Sequence, residues 1–167
     1  MKIATWNVNS IRARLPRLLA WLESRRPDAV MLQELKCVDG EFPFEELREV
    51  GYEAAAYGQK TYNGVAILAK ETPGDVRRGL PDDGAEAEAR VVSAVVGGVR
   101  LIDVYVVNGQ RVGTPAYEYK LQWMERLRRY VESFDRTAPL VLAGDFNVTF
   151  DDRDVYDPKL MKDRILC

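Results

Sequence analysis

The sequence predicts a mixed-sheet α/β protein, and three observations carry that reading. Apolar runs of strand length outnumber the segments with helical periodicity. Some of these runs follow one another closely enough for hairpins, whereas others are separated by helices, so antiparallel and parallel pairing are both expected. Two amphipathic segments offer stripes that a sheet face could bury. With 167 residues, 47% of them hydrophobic, the chain is long enough for one domain with a sizeable core.

From the start of the chain, "KIATW" (2–6) reads as a strand and lacks the apolar core of a signal peptide. A helix is expected from about Leu15, with Pro16 in its first turn, because Leu15, Leu18, Leu19 and Leu22 recur on one face. "DAVMLQ" (28–33) suits a buried strand, and "FEELREV" (44–50) a short helix. "YEAAAYG" (52–58) and "NGVAILAK" (63–70) resemble a strand pair, the second ending before Thr72-Pro73. "RVVSAVVGGVRLIDVYVV" (90–107) splits at Gly97-Gly98 into a hairpin. A long helix runs from Thr114 or Pro115 to about Phe134, with Tyr117, Leu121, Met124, Leu127, Val131 and Phe134 on its apolar face. "PLVLAGDFNV" (139–148) holds the last strand, and "DDRDVYDPKLMKDR" (151–164) is polar and turn-rich.

Composition removes several functions. A formal net charge of −2 at pH 7 argues against a polyanion-coating protein, though not against a local basic patch. No window is apolar enough for a membrane span. Cys37 and Cys167 make no disulfide framework, and free thiols in a reducing cytoplasm are expected. There is no histidine, so no imidazole in this chain can act as base or metal ligand. Chemistry is left to carboxylates, amides, phenols and a metal.

The strands end in a pattern that fits this remainder. "KIATW" stops at Asn7 and "AVMLQ" at Glu34; "LIDVYVV" carries Tyr105 and stops at Asn108; "LVLAG" stops at Asp145, with Asn147 two residues on. Asn and Asp are common wherever strands stop, and Asp-x-Asn suits an ordinary Asx turn. Glu34 fits that bland reading badly, and together the four endings favour a site. Carboxylates and amide carbonyls are hard oxygen ligands for Mg²⁺ or Mn²⁺, and Mg²⁺ needs only one or two protein carboxylates, so Glu34 suffices. A carboxylate away from the metal could orient or deprotonate a water, while amide N–H groups and a tyrosine hydroxyl hold phosphate oxygens. These are the parts for metal-assisted phosphodiester hydrolysis.

"WNVNSIRARL", "LQELKC", "YGQKTYNGVAIL", "VRRGLP", "YVVNG" and "LAGDFNV" resemble, in order and spacing, the exonuclease III type of apurinic/apyrimidinic endonuclease. That type is a branch of the endonuclease/exonuclease/phosphatase superfamily. The resemblance implies a four-layer α/β sandwich of two mixed sheets covered by helices, with residues 1–167 as its N-terminal part. It implies Glu34 and Asn7 at the metal, Tyr105 on the scissile phosphate, Asp145 activating the attacking water, Asn147 orienting it and Asn108 lining the site. Asn9, Arg12 and Tyr62 match positions near the DNA, and Arg12 is the one expected to make a contact among Arg12, Arg14, Arg17, Arg25 and Arg26. Val107 departs from a common proline. The partner implied is double-stranded DNA with abasic sites or 3′ ends, where a missing base lowers the cost of extrusion; a monomer is expected of the full-length protein.

Family members continue into a second half bearing a Ser-Asp-His-type motif, which this chain lacks. The expectation is therefore of a fragment, or of a chain with a further tail, ahead of a divergent protein that closes its fold by dimerising, and of little or no activity from residues 1–167 alone. Two other functions stay open: a non-catalytic DNA-binding or interaction module, and a phosphodiesterase acting on a small molecule or lipid headgroup.

Overall fold

The structure is a computed structural model and describes residues 1–162 and 164. The thiol expected at Cys167 lies outside the described residues, whereas Cys37 is a free, buried cysteine. Contacts divide the chain into two compact units, Met1–Tyr105 with Asp135–Asp145, and Val106–Phe134 with Phe146–Cys167.

The first unit holds β1 (Ile3–Asn7), α1 (Ile11–Arg25), β2 (Ala29–Gln33), α2 (Phe44–Glu49), β3 (Glu53–Tyr57), β4 (Val65–Ala69), β5 (Gly74–Arg78), β6 (Val91–Val96), β7 (Val99–Tyr105) and β8 (Leu140–Asp145). They form two four-stranded sheets, ordered β1-β2-β4-β3 and β5-β6-β7-β8. Both sheets are mixed: β1 runs parallel to β2 and β7 parallel to β8, and the remaining pairs are antiparallel.

The two-residue period of each strand sorts side chains between two cores. Val30 and Leu32 of β2 join Ile11, Leu18, Leu22, Leu47 and Leu68 beneath α1 and α2, while Ala29 and Met31 turn to the other sheet and meet Val92, Ala94 and Leu101. Sheet packing of this kind buries the central strands, β2, β4, β6 and most of β7, while the edge strands β1, β5 and β8 stay partly accessible. The two parallel pairs then repeat one gradient towards their C-terminal ends. On β1 the inner face reads Ile3, Thr5, Asn7; on β2 Ala29, Met31, Gln33; on β7 Leu101, Asp103, Tyr105; on β8 Val141, Ala143, Asp145. Apolar residues fill one end of the inter-sheet space, and polar groups collect at the other.

Most elements lie where the sequence places them. The hairpin turns at Gly97 and Gly98, both with positive φ (54° and 77°), as a tight two-residue connection requires. Helix α1 starts four residues earlier than expected from its leucines. Ser10 caps it, its side chain accepting from the Ala13 N–H, and buried Ile11 anchors the first turn, so Pro16 sits inside the helix. The edge strand β5, "GDVRR", is charged and carries a register shift, features that protect a sheet edge but hide a strand from a hydrophobic reading. Glycine is obligatory at 144: with φ 144°, any Cβ there would collide with the backbone of Val104 on the adjoining strand.

The second unit consists of α3 (Pro115–Glu132), capped by the Thr114 side chain, a 3₁₀ turn at Asp152–Asp154 and the short α4 (Pro158–Met161), with their connecting loops. The buried stripe of α3 is Lys120, Trp123, Leu127 and Tyr130. The stripe expected from the sequence is therefore rotated: Leu127 stays within it, but Leu121 is exposed. Trp123 and Tyr130 offer more area than the aliphatic residues beside them, and they set the face. Among the described residues, no helix is long and apolar enough to cross a membrane.

Asp103 is fully buried, and burial pushes its carboxyl well above the usual range; the Gln33 amide and nearby backbone N–H groups oppose the shift without cancelling it. A raised carboxyl contributes its full stability below the unfolded-state value of about 4 and loses it as pH rises towards the folded one. Asp103→Asn should therefore melt a few degrees above the wild type at neutral pH, with the gap closing near about pH 4. A gap that did not change with pH, followed by circular dichroism, would refute the account.

Candidate active site

Four strand ends of the first unit meet at the polar end of the inter-sheet space. Asn7 finishes β1, Glu34 follows β2, Tyr105 finishes β7 and Asp145 finishes β8, so each sheet supplies two groups. The Asn7 amide joins them: its Nδ2 donates to Glu34 Oε1 at 2.8 Å and to Asp145 Oδ2 at 2.8 Å. The Tyr105 hydroxyl donates to Glu34 Oε1 at 3.1 Å, and Lys36 Nζ lies 2.9 Å from Glu34 Oε2. Both oxygens of Glu34 are thus engaged, and its side chain is only 19% exposed.

The local backbone explains why a glutamate can end a strand here. Glu34 has a left-handed φ of 57°, which costs a non-glycine residue roughly 1–3 kcal/mol. The cost is met by hydrogen bonds on both sides of the loop. The Ser10 N–H donates to the Glu34 carbonyl at 2.7 Å, and the Ile11 N–H to that of Leu35 at 3.1 Å. The Leu35 N–H in turn donates to the Gly64 carbonyl at 3.2 Å, and the Lys36 N–H to that of Asn63 at 3.0 Å. Gly64 must stay glycine, because its φ is 89° and a Cβ would lie 2.8 Å from that of Leu35. The start of α1 and the "YNGV" turn therefore clamp Glu34 between them.

Electrostatics separate the roles. Burial alone would raise the Glu34 carboxyl, but hydrogen bonds from Asn7, Lys36 and Tyr105 outweigh it and hold the group below the usual range. Tyr105 is pushed up to about 12 by burial, then by the charge and hydrogen bond of Glu34, with Arg90 opposing. It stays a neutral donor at ordinary pH. Arg90 holds the ring in place: its guanidinium carbon lies 5.0 Å from the ring centroid, and its Nη1 donates to the Tyr105 carbonyl at 3.2 Å.

The remaining expected residues fall into two sets. Asn9 sits beside the cluster, its N–H donating to Asn7 Oδ1 at 3.0 Å and its Oδ1 accepting from Lys36 Nζ at 2.5 Å. Arg12 makes an exposed ion pair with Glu41 at 3.2 Å, a contact of small energy, and Tyr62 is 68% exposed in the loop before β4. In the second unit, Asn147 adopts a left-handed φ of 49°, donates through Nδ2 to the Val106 carbonyl at 2.9 Å, and accepts at Oδ1 from Asn108 at 3.3 Å. Buried Lys120 donates to the Asn147 carbonyl at 2.7 Å.

The structure thus brings together Asn7, Glu34, Tyr105 and Asp145 in one unit, and Asn108 with Asn147 in the other. Sequence reasoning missed Lys36, Arg90, Lys120 and the buried Gln33 and Asp103. Lys36 was signalled by its place two residues after Glu34; Arg90 looked like an ordinary strand start.

A divalent cation fits these donors. Among the described residues no group of three or more Asp, Glu, Cys and His side chains could hold a metal, so no zinc-type side-chain cage is present among them. One carboxylate with a second nearby is what Mg²⁺ or Mn²⁺ needs when waters and phosphate complete its shell. Glu34 is the carboxylate that could anchor such an ion, and Asn7 here spends its Nδ2 on the carboxylates and its Oδ1 on Asn9.

The Lys36 contribution is open to direct test. Lys36→Met should move the Glu34 carboxyl upward, read as its ¹³C chemical shift against pH; an unchanged midpoint would show that the ammonium does not help to hold it down.

Comparison with known proteins places the chain in a family. The model of the Endonuclease/Exonuclease/phosphatase family matches residues 4–165. The chain is 34% identical over 161 residues to exodeoxyribonuclease III of Haemophilus influenzae, covering 93% of this chain and 60% of that protein. A structure of the Neisseria 3′ phosphatase bound to a product DNA hairpin superposes with a TM-score of 0.95 at 44% identity, covering 100% of this chain and 65% of that one. An AP endonuclease from Archaeoglobus fulgidus gives a TM-score of 0.94 at 39% identity, covering 99% of this chain and 65% of that one. The chain thus spans about 60–65% of the length of these relatives.

Proposed function

Because the chain belongs to the endonuclease/exonuclease/phosphatase family, we propose that it carries the first part of the active site of a DNA-repair nuclease. The reaction would be hydrolysis of a DNA phosphodiester at abasic sites and 3′ ends by metal-assisted attack of water. The observation that carries this reading is the Asn7 amide holding Glu34 and Asp145 together, beside a neutral tyrosine hydroxyl.

Each residue has a task consistent with its contacts. Glu34, ionised and constrained, would hold Mg²⁺ or Mn²⁺, with Asn7 and Asn9 keeping it in place. Such an ion would neutralise charge developing on the phosphate. Glu34 is a poor proton acceptor because three donors already stabilise its anion, and Tyr105 keeps its proton up to about 12. Proton acceptance from the attacking water therefore falls to Asp145. The Tyr105 hydroxyl would turn from Glu34 to a nonbridging phosphate oxygen. Asn147 and Asn108 would orient water and phosphate, while Arg12 and Tyr62 would meet the DNA backbone.

The proposal extends to the setting. The two units would form parts of one family domain in a monomeric protein, cytoplasmic in location, where the free Cys37 thiol would stay reduced. Since relatives are longer, residues 1–167 alone should nick DNA weakly or not at all.

The experiment is cleavage of an abasic duplex by the chain alone and by a chimera carrying the C-terminal third of the Neisseria relative. We expect nicking by the chimera that chelation abolishes, and losses of about a thousandfold or more in its Glu34→Gln and Asp145→Asn variants. Near-normal rates in either variant would sink the assignment. Robust nicking by residues 1–167 would refute the predicted inactivity of the chain alone. Salt-sensitive DNA binding by the chimera without cleavage would favour a binding module instead.

A further inference from the structure

Inside the inter-sheet core, one step below the catalytic cluster, Gln33 Nε2 donates to Asp103 Oδ1 at 2.6 Å. Gln33 is 1% exposed and Asp103 0%. The bond joins β2 of one sheet to β7 of the other, and Thr5 meets the Gln33 amide at 3.1 Å from the β1 edge. Asp103 Oδ2 has no hydrogen-bond partner.

Stability does not explain this pair. A buried carboxyl with one oxygen unsatisfied is destabilising, and exchanging both partners of such a contact for apolar groups of similar shape is often neutral or stabilising. What a hydrogen bond supplies and greasy packing does not is direction. The hydrophobic effect rewards area and leaves two apolar sheet faces relatively free to shift. The cluster above cannot tolerate a shift, because Asn7 and Glu34 stand on one sheet and Tyr105 and Asp145 on the other. Gln33 immediately precedes Glu34. Asp103 precedes Tyr105 by two residues on the same strand face, about 7 Å along β7.

We infer that Gln33 and Asp103 are positioning residues, whose hydrogen bond locks the two sheets in the register that lets the four strand ends meet. The inference rests on the catalytic reading of that cluster for its functional meaning, and on geometry alone for the lock itself. Asp103 is fully buried, and it acts through β7 and through Gln33.

The test separates positioning from stability. In the double variant Gln33→Met/Asp103→Leu the polar bridge becomes an apolar contact, and in Asp103→Asn a hydrogen-bonding amide replaces the acid. Thermal unfolding and ¹⁵N–¹H spectra are read on residues 1–167, with the Asn7 side-chain amide as the reporter of the cross-sheet bonds; kcat and KM are read on the chimera. The double variant should unfold at or above the wild-type temperature while the Asn7 amide protons shift and lose exchange protection. Its kcat should fall by about tenfold to a hundredfold with KM little changed, and Asp103→Asn should keep both the Asn7 signals and the rate. Unchanged Asn7 signals in a folded double variant overturn the proposal, and so does full activity despite altered signals. Should the double variant fail to fold, Asp103→Ser, too short to reach the Gln33 amide, is read in the same way. A wild-type chimera that does not cleave would defeat the catalytic reading, while the Asn7 signals would still decide the lock.

Discussion

The Asn7 amide nitrogen is the point on which the site depends. Its two N–H groups point at carboxylates from different sheets, Glu34 beside β2 and Asp145 at the end of β8. Two carboxylates this close would repel one another if both were ionised and nothing lay between them. A donor shared between them, with the Lys36 ammonium on the far side of Glu34, lets both approach without merging into one site. The parallel pairs β1–β2 and β7–β8 make this meeting possible, because parallel strands deliver their C-terminal ends to the same edge. Each pair requires a long crossover, and the chain supplies α1 for one and α3 for the other.

Precision at such a junction is obtained from strain held in place by the surroundings. Glu34, Lys36, Asn63 and Asn9 all adopt positive φ, a region that costs Glu and Lys and that Asn tolerates more readily. Backbone hydrogen bonds tie the Glu34 loop both to the start of α1 and to the Asn63–Gly64 turn, so the loop cannot relax alone. Gly64 and Gly144 contribute by absence: each leaves room for a neighbouring backbone or side chain where a methyl group would not fit. Around Glu34 five such residues gather, Asn9, Ser10, Glu34, Lys36 and Asn63.

The sequence made the strands and the strand-end residues legible because both rest on local chemistry. A run such as "AVMLQ" can only be buried, and a glutamate at its end has no common structural excuse. Less local properties escaped. The start of α1 depended on Ser10 and on hydrogen bonds to the Glu34 loop, which outweighed the preference of Pro16 for a first turn. The buried face of α3 was set by the area of Trp123 and Tyr130 rather than by the more numerous aliphatic residues. β5 is an edge strand whose charges conceal it. Lys36 and Arg90 act through partners remote in sequence or through an aromatic face, and neither leaves a periodic trace.

The gradient along the inner strand faces connects these levels. If polar groups were needed only at the rim, the layer beneath could be as apolar as the layer below it, and Gln33 and Asp103 would be unnecessary. They occupy the transition instead, at the depth where the apolar core can no longer align the sheets and the cluster has not yet begun. A core that gives up stability at one depth, directly under a cluster assembled from two sheets, is arranged for alignment. That is why the buried carboxyl belongs with the site above it rather than with the hydrophobic residues that surround it.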